Sequence, residues 1–202
     1  MEPLSPAEAR VLGSLVEKAF TTPDTYPLTT NALLAACNQL SNRDPVTDYD
    51  EETVEAALRT LDDRGLARLT RASGGRTVRY VHRVQSAMEL DDEQTALLAV
   101  LLLRGDQTPG ELRTRTDRYV QFADVAAVEE RLIDLMARTI PLVERLERAP
   151  GQKENRYRCL LFERASSAPV HAAAPAAPDR LAALEARIAR IEAALGLDTE
   201  EE

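Results

Sequence analysis

The sequence predicts an α+β fold that is mainly helical with small β-hairpins, arranged as two tandem winged helix-turn-helix domains followed by a C-terminal coiled-coil helix. Three observations predict it: an internal repeat of helix-start motifs, a turn between extended segments at the end of each copy, and a heptad pattern near the C-terminus. The predicted units are domain 1 at 1–87, domain 2 at 88–164, an Ala/Pro-rich linker at 165–179, the coiled-coil helix at 180–196 and an acidic tail at 197–202.

The first helix of each copy begins with a capping motif. Residues 4–8 supply Ser5 as N-cap, proline at the first helical position and Glu8 of a capping box, and residues 90–94 repeat this arrangement. An apolar stripe at helical spacing follows each start, and Gly105 predicts the end of the second of these helices.

The second and third helices also start at equivalent motifs. The second helices are predicted to open at Thr29 and at the Thr108–Glu111 capping box. The third helices follow Asp50 and Asp124 with matching apolar spacing. The sequence distance between equivalent positions of the two copies decreases from the first helix to the third, because the first copy has longer connections.

Each copy is predicted to end in a β-hairpin. The turns at 73–75 and 150–152 contain glycine and lie between residues that favour extended backbone. Five identities at one common offset align the two hairpins: Leu69, Arg71, Ala72, Arg79 and Tyr80 with Leu146, Arg148, Ala149, Arg156 and Tyr157. Three helices followed by a hairpin is the order of a winged helix-turn-helix, so the hairpins are the predicted wings.

The C-terminal segment carries a coiled-coil pattern beyond a linker that is too rich in small residues and proline to fold. Its predicted oligomerisation residues are Leu181, Leu184, Ile188, Ile191 and Leu195. Arginines at g and glutamates at e favour a parallel homodimer. The alternative is an amphipathic helix that docks on its own domain.

Composition indicates a globular protein. The chain has 202 residues, 44% of them hydrophobic, and 25 basic against 34 acidic side chains give a net charge of -9. The longest apolar run, residues 95–103, is shorter than the roughly 20 residues that a membrane helix needs. With no signal pattern and no Cys-x-x-Cys pair, we expect a cytoplasmic protein without membrane association or a disulfide framework.

Long motifs, read in order along the chain, resemble those of the YceH-like family of uncharacterised bacterial proteins. The matching stretches are residues 8–13, 17–18, 22–28, 36–39, 42–46, 101–113 and 150–154. The resemblance covers residues 4 to about 163. It implies a tandem winged-helix fold and brings no assigned activity or catalytic residue.

Residues suited to catalysis are few. His82 follows the first wing strand and is interpreted as solvated or phosphate-facing, while His171 lies in the linker. Cys37 is interpreted as a small buried hydrophobe. We expect no enzyme activity, cofactor or metal site, and interpret one acidic cluster as helix-capping: Asp48, Asp50, Glu51 and Glu52.

Charge placement indicates a candidate nucleic-acid interface. Residues 64–87 contain six arginines and no acidic residue, in a protein whose net charge is negative. The predicted nucleic-acid-binding residues are Arg43, Arg68, Arg71, Arg76, Arg79, Arg113, Arg115 and Arg118. Because Arg71 and Arg79 recur in the second copy, a structural role inside each hairpin is the alternative.

Two features oppose conventional base reading. Both third helices expose carboxylates that would repel phosphates, and neither offers a set of arginines and amides for base edges. The amide-rich loop 38–43 could read bases instead, although such residues also build Asx turns. The leading hypothesis is a dimeric DNA-binding regulator, and the alternative is a protein-interaction scaffold that binds a protein partner and no DNA.

Overall fold

The computed structural model describes residues 2–71, 77–148, 151–152 and 154–162, and its architecture is mixed α+β. The first half contains α1 (Pro6–Thr21), a 3-10 turn (Pro23–Thr25), α2 (Thr30–Cys37), α3 (Glu51–Asp63), β1 (Ala67–Arg71) and β2 (Val78–His82). The short helix α4 (Val84–Met88) leads into α5 (Asp92–Arg104), α6 (Pro109–Thr116), α7 (Val125–Met136), β3 (Val143–Arg145) and β4 (Tyr157–Cys159). The predicted α+β class is confirmed.

The capping boxes form as predicted. At α1, the Ser5 hydroxyl accepts a hydrogen bond from the Glu8 backbone N–H at 3.2 Å, and the Glu8 carboxylate accepts one from the Ser5 backbone N–H at 3.0 Å. Reciprocal pairs of the same kind start α5 and α6. These bonds satisfy backbone donors that a helix leaves unpaired at its first turn, so the sequence fixes these helix starts locally.

The third helices start at the predicted aspartates. Asp50 accepts from the Thr53 backbone N–H at 2.8 Å, and Asp124 accepts from the Ala127 backbone N–H at 2.8 Å. The capping interpretation of Asp50 is therefore confirmed. At the other end of a helix, Gly105 follows α5 with φ of 73°, where a residue with a side chain would be strained.

Both predicted hairpins are present. β1 pairs with β2 in antiparallel register from Ala67–His82 to Arg71–Val78, and β3 pairs with β4. The segment before each second helix adds one bridge to the second strand of its hairpin: Leu28 bridges to Tyr80, and Gln107 bridges to Tyr157. The two halves thus share the strand arrangement as well as the helix order.

The two halves meet along α1 and α5. Gly13 faces Leu102 and Leu103, and a Cβ placed on Gly13 would lie only 2.9 Å from Leu103 Cγ. The absence of a side chain therefore permits the close approach of these helices. One hydrophobic core contains buried residues from both halves, and the predicted boundary after residue 87 falls inside α4.

Polar contacts are exchanged between the halves. The loop after α2 reaches the end of α5, where the Asp44 backbone N–H donates to the Leu103 carbonyl at 2.9 Å. The loop after α6 reaches the end of α1, where Tyr119 stacks on Phe20 with ring centroids 5.8 Å apart. Each loop between a second and a third helix is therefore held by the first helix of the other half.

The predicted coiled coil, with its apolar residues from Leu181 to Leu195, lies outside the described residues. Of the helices within the described ranges, none has the length and apolar character to cross a membrane.

Candidate nucleic-acid interface

Strand register divides the arginines of the first hairpin, β1 with β2, between its two faces. Cross-strand partners point to the same face of an antiparallel pair. Arg68 pairs with Val81 and Thr70 with Arg79, so Arg68 and Arg79 share one face. Arg71 pairs with Val78 and projects to the other face. Arg76 lies outside the described residues.

Among the described residues of this hairpin, Arg68 and Arg71 are exposed cations. Within the described parts of the chain, no hydrogen bond or ion pair engages either guanidinium, and residues 64–87 contain no carboxylate. Their positive charge is therefore not neutralised by a neighbouring acid. Exposed guanidinium groups of this kind can contact phosphate oxygens with two hydrogen bonds.

Arg79 has a structural role. Its Nη1 donates to the Pro27 carbonyl at 2.7 Å, next to the Leu28–Tyr80 bridge. Arg156 makes the equivalent bond in the second half, where its Nη1 donates to the Asp106 carbonyl at 2.7 Å. This shared bond accounts for the arginine at both positions and ties each hairpin to the segment before the second helix.

In the second hairpin, β3 with β4, two arginines are paired with carboxylates. Arg158 lies 2.7 Å from the Asp106 carboxylate and 3.6 Å from that of Glu144. Arg156 lies 3.0 Å from the Glu111 carboxylate. The Asp106 hydrogen bond, outweighing burial, raises the pKa of Arg158. The second hairpin therefore presents less uncompensated positive charge than the first.

Arg43 does not belong to the predicted interface, because its side chain is fully buried. Its guanidinium lies 2.5 Å from the Glu17 carboxylate and also donates to the Ala36 carbonyl and to Gln39. Burial alone would raise the pKa of Glu17, but the hydrogen bond and charge of Arg43 outweigh it and the net shift is downward. Arg43 is a structural cation that holds the loop after α2.

The amides of the loop 38–43 are also engaged internally. Asn38 Nδ2 donates to the Tyr49 carbonyl at 2.8 Å, and Asn38 Oδ1 accepts from the Tyr49 backbone N–H at 2.9 Å. Gln39 accepts from Arg43, and Asn42 accepts from Arg104. These bonds favour the turn-building interpretation of the loop over base reading.

The three arginines predicted at the end of α6 have different surroundings. Arg113 donates to the carbonyl of Ala123 at 3.1 Å, and Arg115 lies 3.8 Å from the Glu111 carboxylate. Arg118 lies 3.6 Å from the Glu17 carboxylate, with 58% of its side chain exposed. Arg118 is thus more accessible than Arg115, whose side chain is 29% exposed.

Two cations that the sequence interpretation left out lie in the same region. Lys18 is 3.7 Å from the Glu17 carboxylate, and Arg104 donates to Asn42. Burial lowers the pKa of Arg104, and the charges of Arg115 and Arg118 lower it further while Glu17 opposes them. The sequence did contain a signal for these two cations, because Lys18 and Arg104 occupy equivalent positions in the repeat. Each lies in the last turn of the first helix of its half.

The exposed faces of the third helices are acidic, as expected. α3 exposes Glu51, Glu52, Asp62 and Asp63. α7 exposes Glu129 and Glu130, with Ile133 beside them at 57% exposure. Neither surface attracts phosphates, so contact with nucleic acid would involve other elements.

Of the titratable candidates for catalysis, Cys37 is buried and His82 is half-buried, while His171 lies outside the described residues. Burial raises the pKa of the Cys37 thiol to about 11 and that of Cys159 to about 12, and the predicted buried position of Cys37 is confirmed. His82 is half-buried beside Tyr26, and burial lowers the pKa of its imidazole, which does not match a solvated or phosphate-facing side chain. In the described ranges, no group of three or more acidic, His or Cys side chains could hold a metal.

Comparison with known proteins identifies relatives over most of the chain. A family model described as "Protein of unknown function, DUF480" matches residues 4–152. A UPF0502 protein of Geotalea daltonii is 49% identical over 190 residues, covering 94% of this chain and 87% of its own. One from Shewanella amazonensis is 44% identical over 200 residues, covering 95% of each chain. One from Koribacter versatilis is 53% identical over 154 residues, covering 76% of this chain and 72% of its own.

Proposed function

The chain belongs to the DUF480 family, and we propose that it is a non-enzymatic protein that binds the backbone of duplex DNA through its first hairpin. The observation that carries the proposal is the exposure of Arg68 and Arg71 without a carboxylate partner among the described residues. Phosphate contacts supply most of the affinity in sequence-independent DNA binding, and guanidinium groups make them well.

The proposal includes the tandem winged-helix fold that the YceH-like resemblance implies. Its support is the order of three helices and a hairpin in each half, with the bridges Leu28–Tyr80 and Gln107–Tyr157 at equivalent places. Within this proposal the hairpin lies beside the DNA backbone, where the exposed arginines of the first hairpin would meet phosphates. The acidic α3 favours a mode in which the hairpin, and not the third helix, makes the main contact.

The proposal also includes a homodimer in the cytoplasm. Its support is the sequence pattern of residues 180–196, where Arg180 and Arg187 at g positions can pair with Glu185 and Glu192 at e positions of a second copy. Such a dimer would present two first hairpins to one duplex, which raises the effective concentration of the second hairpin after the first has bound.

A titration with salt tests DNA binding. Fluorescence anisotropy of a mixed-sequence duplex at increasing salt is expected to give affinities that fall linearly on a log–log plot, with a slope of about -0.9 for each phosphate contacted. Absence of binding at low salt, or an affinity that does not change with salt, would overturn the proposal.

A protein-interaction scaffold is the second candidate function. It is favoured by the exposed apolar side chains of the second half, where Ile133 and Ile140 are 57% and 59% exposed. An exposed apolar side chain gains free energy when a partner protein removes it from water. Under this candidate, a pull-down with Ile133→Glu/Ile140→Glu loses a stoichiometric protein that the wild-type chain retains, and the duplex titration shows no binding.

A further inference from the structure

A second group of cations, separate from the first hairpin, lies near the C-terminal ends of α1 and α5. Lys18, Arg43 and Arg118 all lie within 4 Å of the Glu17 carboxylate, at 3.7, 2.5 and 3.6 Å. Three positive charges therefore share one negative charge. Arg104 adds a fourth cation, bonded to the uncharged Asn42.

These cations differ in how strongly the fold holds them. Glu17 is 2% exposed and is already satisfied by Arg43 and by the Tyr119 hydroxyl, which donates to it at 3.1 Å. Arg118, at 58% exposure, and Lys18, at 20% exposure, lie at longer ion-pair distances on the accessible side of this group. Their charge is available to solvent because the one carboxylate is bound more tightly by other residues.

The cluster also carries internal repulsion. The positive charges of Arg115 and Arg118 act on Arg104 and lower its pKa, in addition to the effect of its burial. Arg115 itself shares the Glu111 carboxylate with Arg156, which is the closer partner at 3.0 Å against 3.8 Å. An anion that bound here would relieve repulsion among like charges, as phosphates do in cationic sites.

We propose that Lys18, Arg104 and Arg118 form a second phosphate-binding site, which takes a backbone phosphate of the DNA bound by the chain. The inference rests on the proposed function for the identity of the ligand. The site is assembled from both halves, since Lys18 lies in the last turn of α1 while Arg104 ends α5 and Arg118 follows α6. A phosphate held there would contact both halves at once.

The competing explanation is purely structural. Cations in the last turn of a helix interact favourably with its C-terminal dipole, and Lys18 and Arg104 occupy such positions. A structural role changes the melting temperature and leaves the salt dependence of DNA binding untouched. The slope of affinity against salt therefore separates the two explanations.

The test compares two full-chain variants that lose the same charge. Lys18→Gln/Arg118→Gln removes the two cations that lie at the longer distances from Glu17 and retains Arg43, which keeps Glu17 paired. Arg59→Gln/Arg145→Gln is the control, since both arginines are exposed on elements outside the cluster. Anisotropy titrations with the same duplex at several salt concentrations are expected to show a slope about 2 units shallower for the cluster variant than for the control.

The results of these titrations distinguish failure of the second phosphate site from failure of the first hairpin to bind DNA. Equal slopes for the cluster variant and the control overturn this inference and leave the proposed function intact. A shallower slope for the cluster variant, together with wild-type binding by Arg68→Glu/Arg71→Glu, supports the cluster and overturns the proposed role of the hairpin. A wild-type chain that does not bind the duplex overturns both. Arg118→Lys with Lys18 retained is expected to keep the wild-type salt slope, because the slope depends on the number of phosphates neutralised and lysine retains the charge.

Discussion

The first and second hairpins are built alike but differ in what surrounds their arginines. Both are antiparallel, both receive a bridge from the segment before the second helix, and both use an arginine to bind a backbone carbonyl, Arg79 in one and Arg156 in the other. In the second hairpin, Asp106, Glu111 and Glu144 also pair with arginines. In the first, Arg68 and Arg71 have no such partner among the described residues.

Under the proposed DNA binding, the position of each charge matters more than the net charge of the chain. The chain is acidic overall at -9, yet its first hairpin carries Arg68 and Arg71, which no acid neutralises in the part of the chain that the structure describes. Two copies of one structural unit can therefore keep the same framework while their arginines have different partners. Arginines with partners are expected to stabilise the fold, and those without partners to serve binding.

The largest expected effect sharpens the distinction between buried and exposed arginines. Arg43→Ala leaves the carboxylate of Glu17 buried without its closest cation, so we expect the free energy of unfolding to fall by about 3–5 kcal/mol. Arg68→Ala, the exposed counterpart, is expected to change it by less than about 0.5 kcal/mol. Urea denaturation measures the free energy of unfolding of both variants. Equal losses of stability would contradict the distinction between buried and exposed arginines.

A smaller effect separates the two equivalent hairpin arginines. Arg79→Ala removes the bond to the Pro27 carbonyl and is expected to cost about 1 kcal/mol. Arg156→Ala removes the equivalent bond and also the partly exposed pair with Glu111, which adds at most about 1 kcal/mol. Thermal or urea unfolding of both variants shows whether Arg156→Ala loses more stability than Arg79→Ala. An Arg79→Ala variant less stable than Arg156→Ala would contradict the view that only the second hairpin depends on ion pairs.

Sequence reasoning predicted the elements that local contacts determine. The capping boxes at Ser5, Asp91 and Thr108 join residues three apart, so their signal lies in a short stretch of sequence. The hairpins were predictable because their turns and identities repeat at one offset. The helix α4 was missed, since its five residues are too few to show a helical period.

Long-range contacts were beyond sequence reasoning. Arg43 looked like part of a polar surface loop, whereas it is buried against Glu17, which is 26 residues away. Tyr119 reaches the same carboxylate across 102 residues. Pairing partners at such separations depend on how the helices pack in the folded chain, and nothing in the local sequence around Arg43 specifies them. The candidate interface therefore loses Arg43 and gains Lys18 and Arg104 as neighbours of Arg118.

The most direct test of the central claim compares DNA binding by equivalent variants of the two hairpins. Arg68→Glu/Arg71→Glu and Arg145→Glu/Arg148→Glu alter aligned positions and change the net charge equally, so general repulsion from DNA is matched. We expect the first variant to bind the duplex at least about 10-fold more weakly than the second, with a salt slope shallower by about 2. Equal affinities and slopes for the two variants, or weaker binding by the second, would contradict the assignment of DNA binding to the first hairpin.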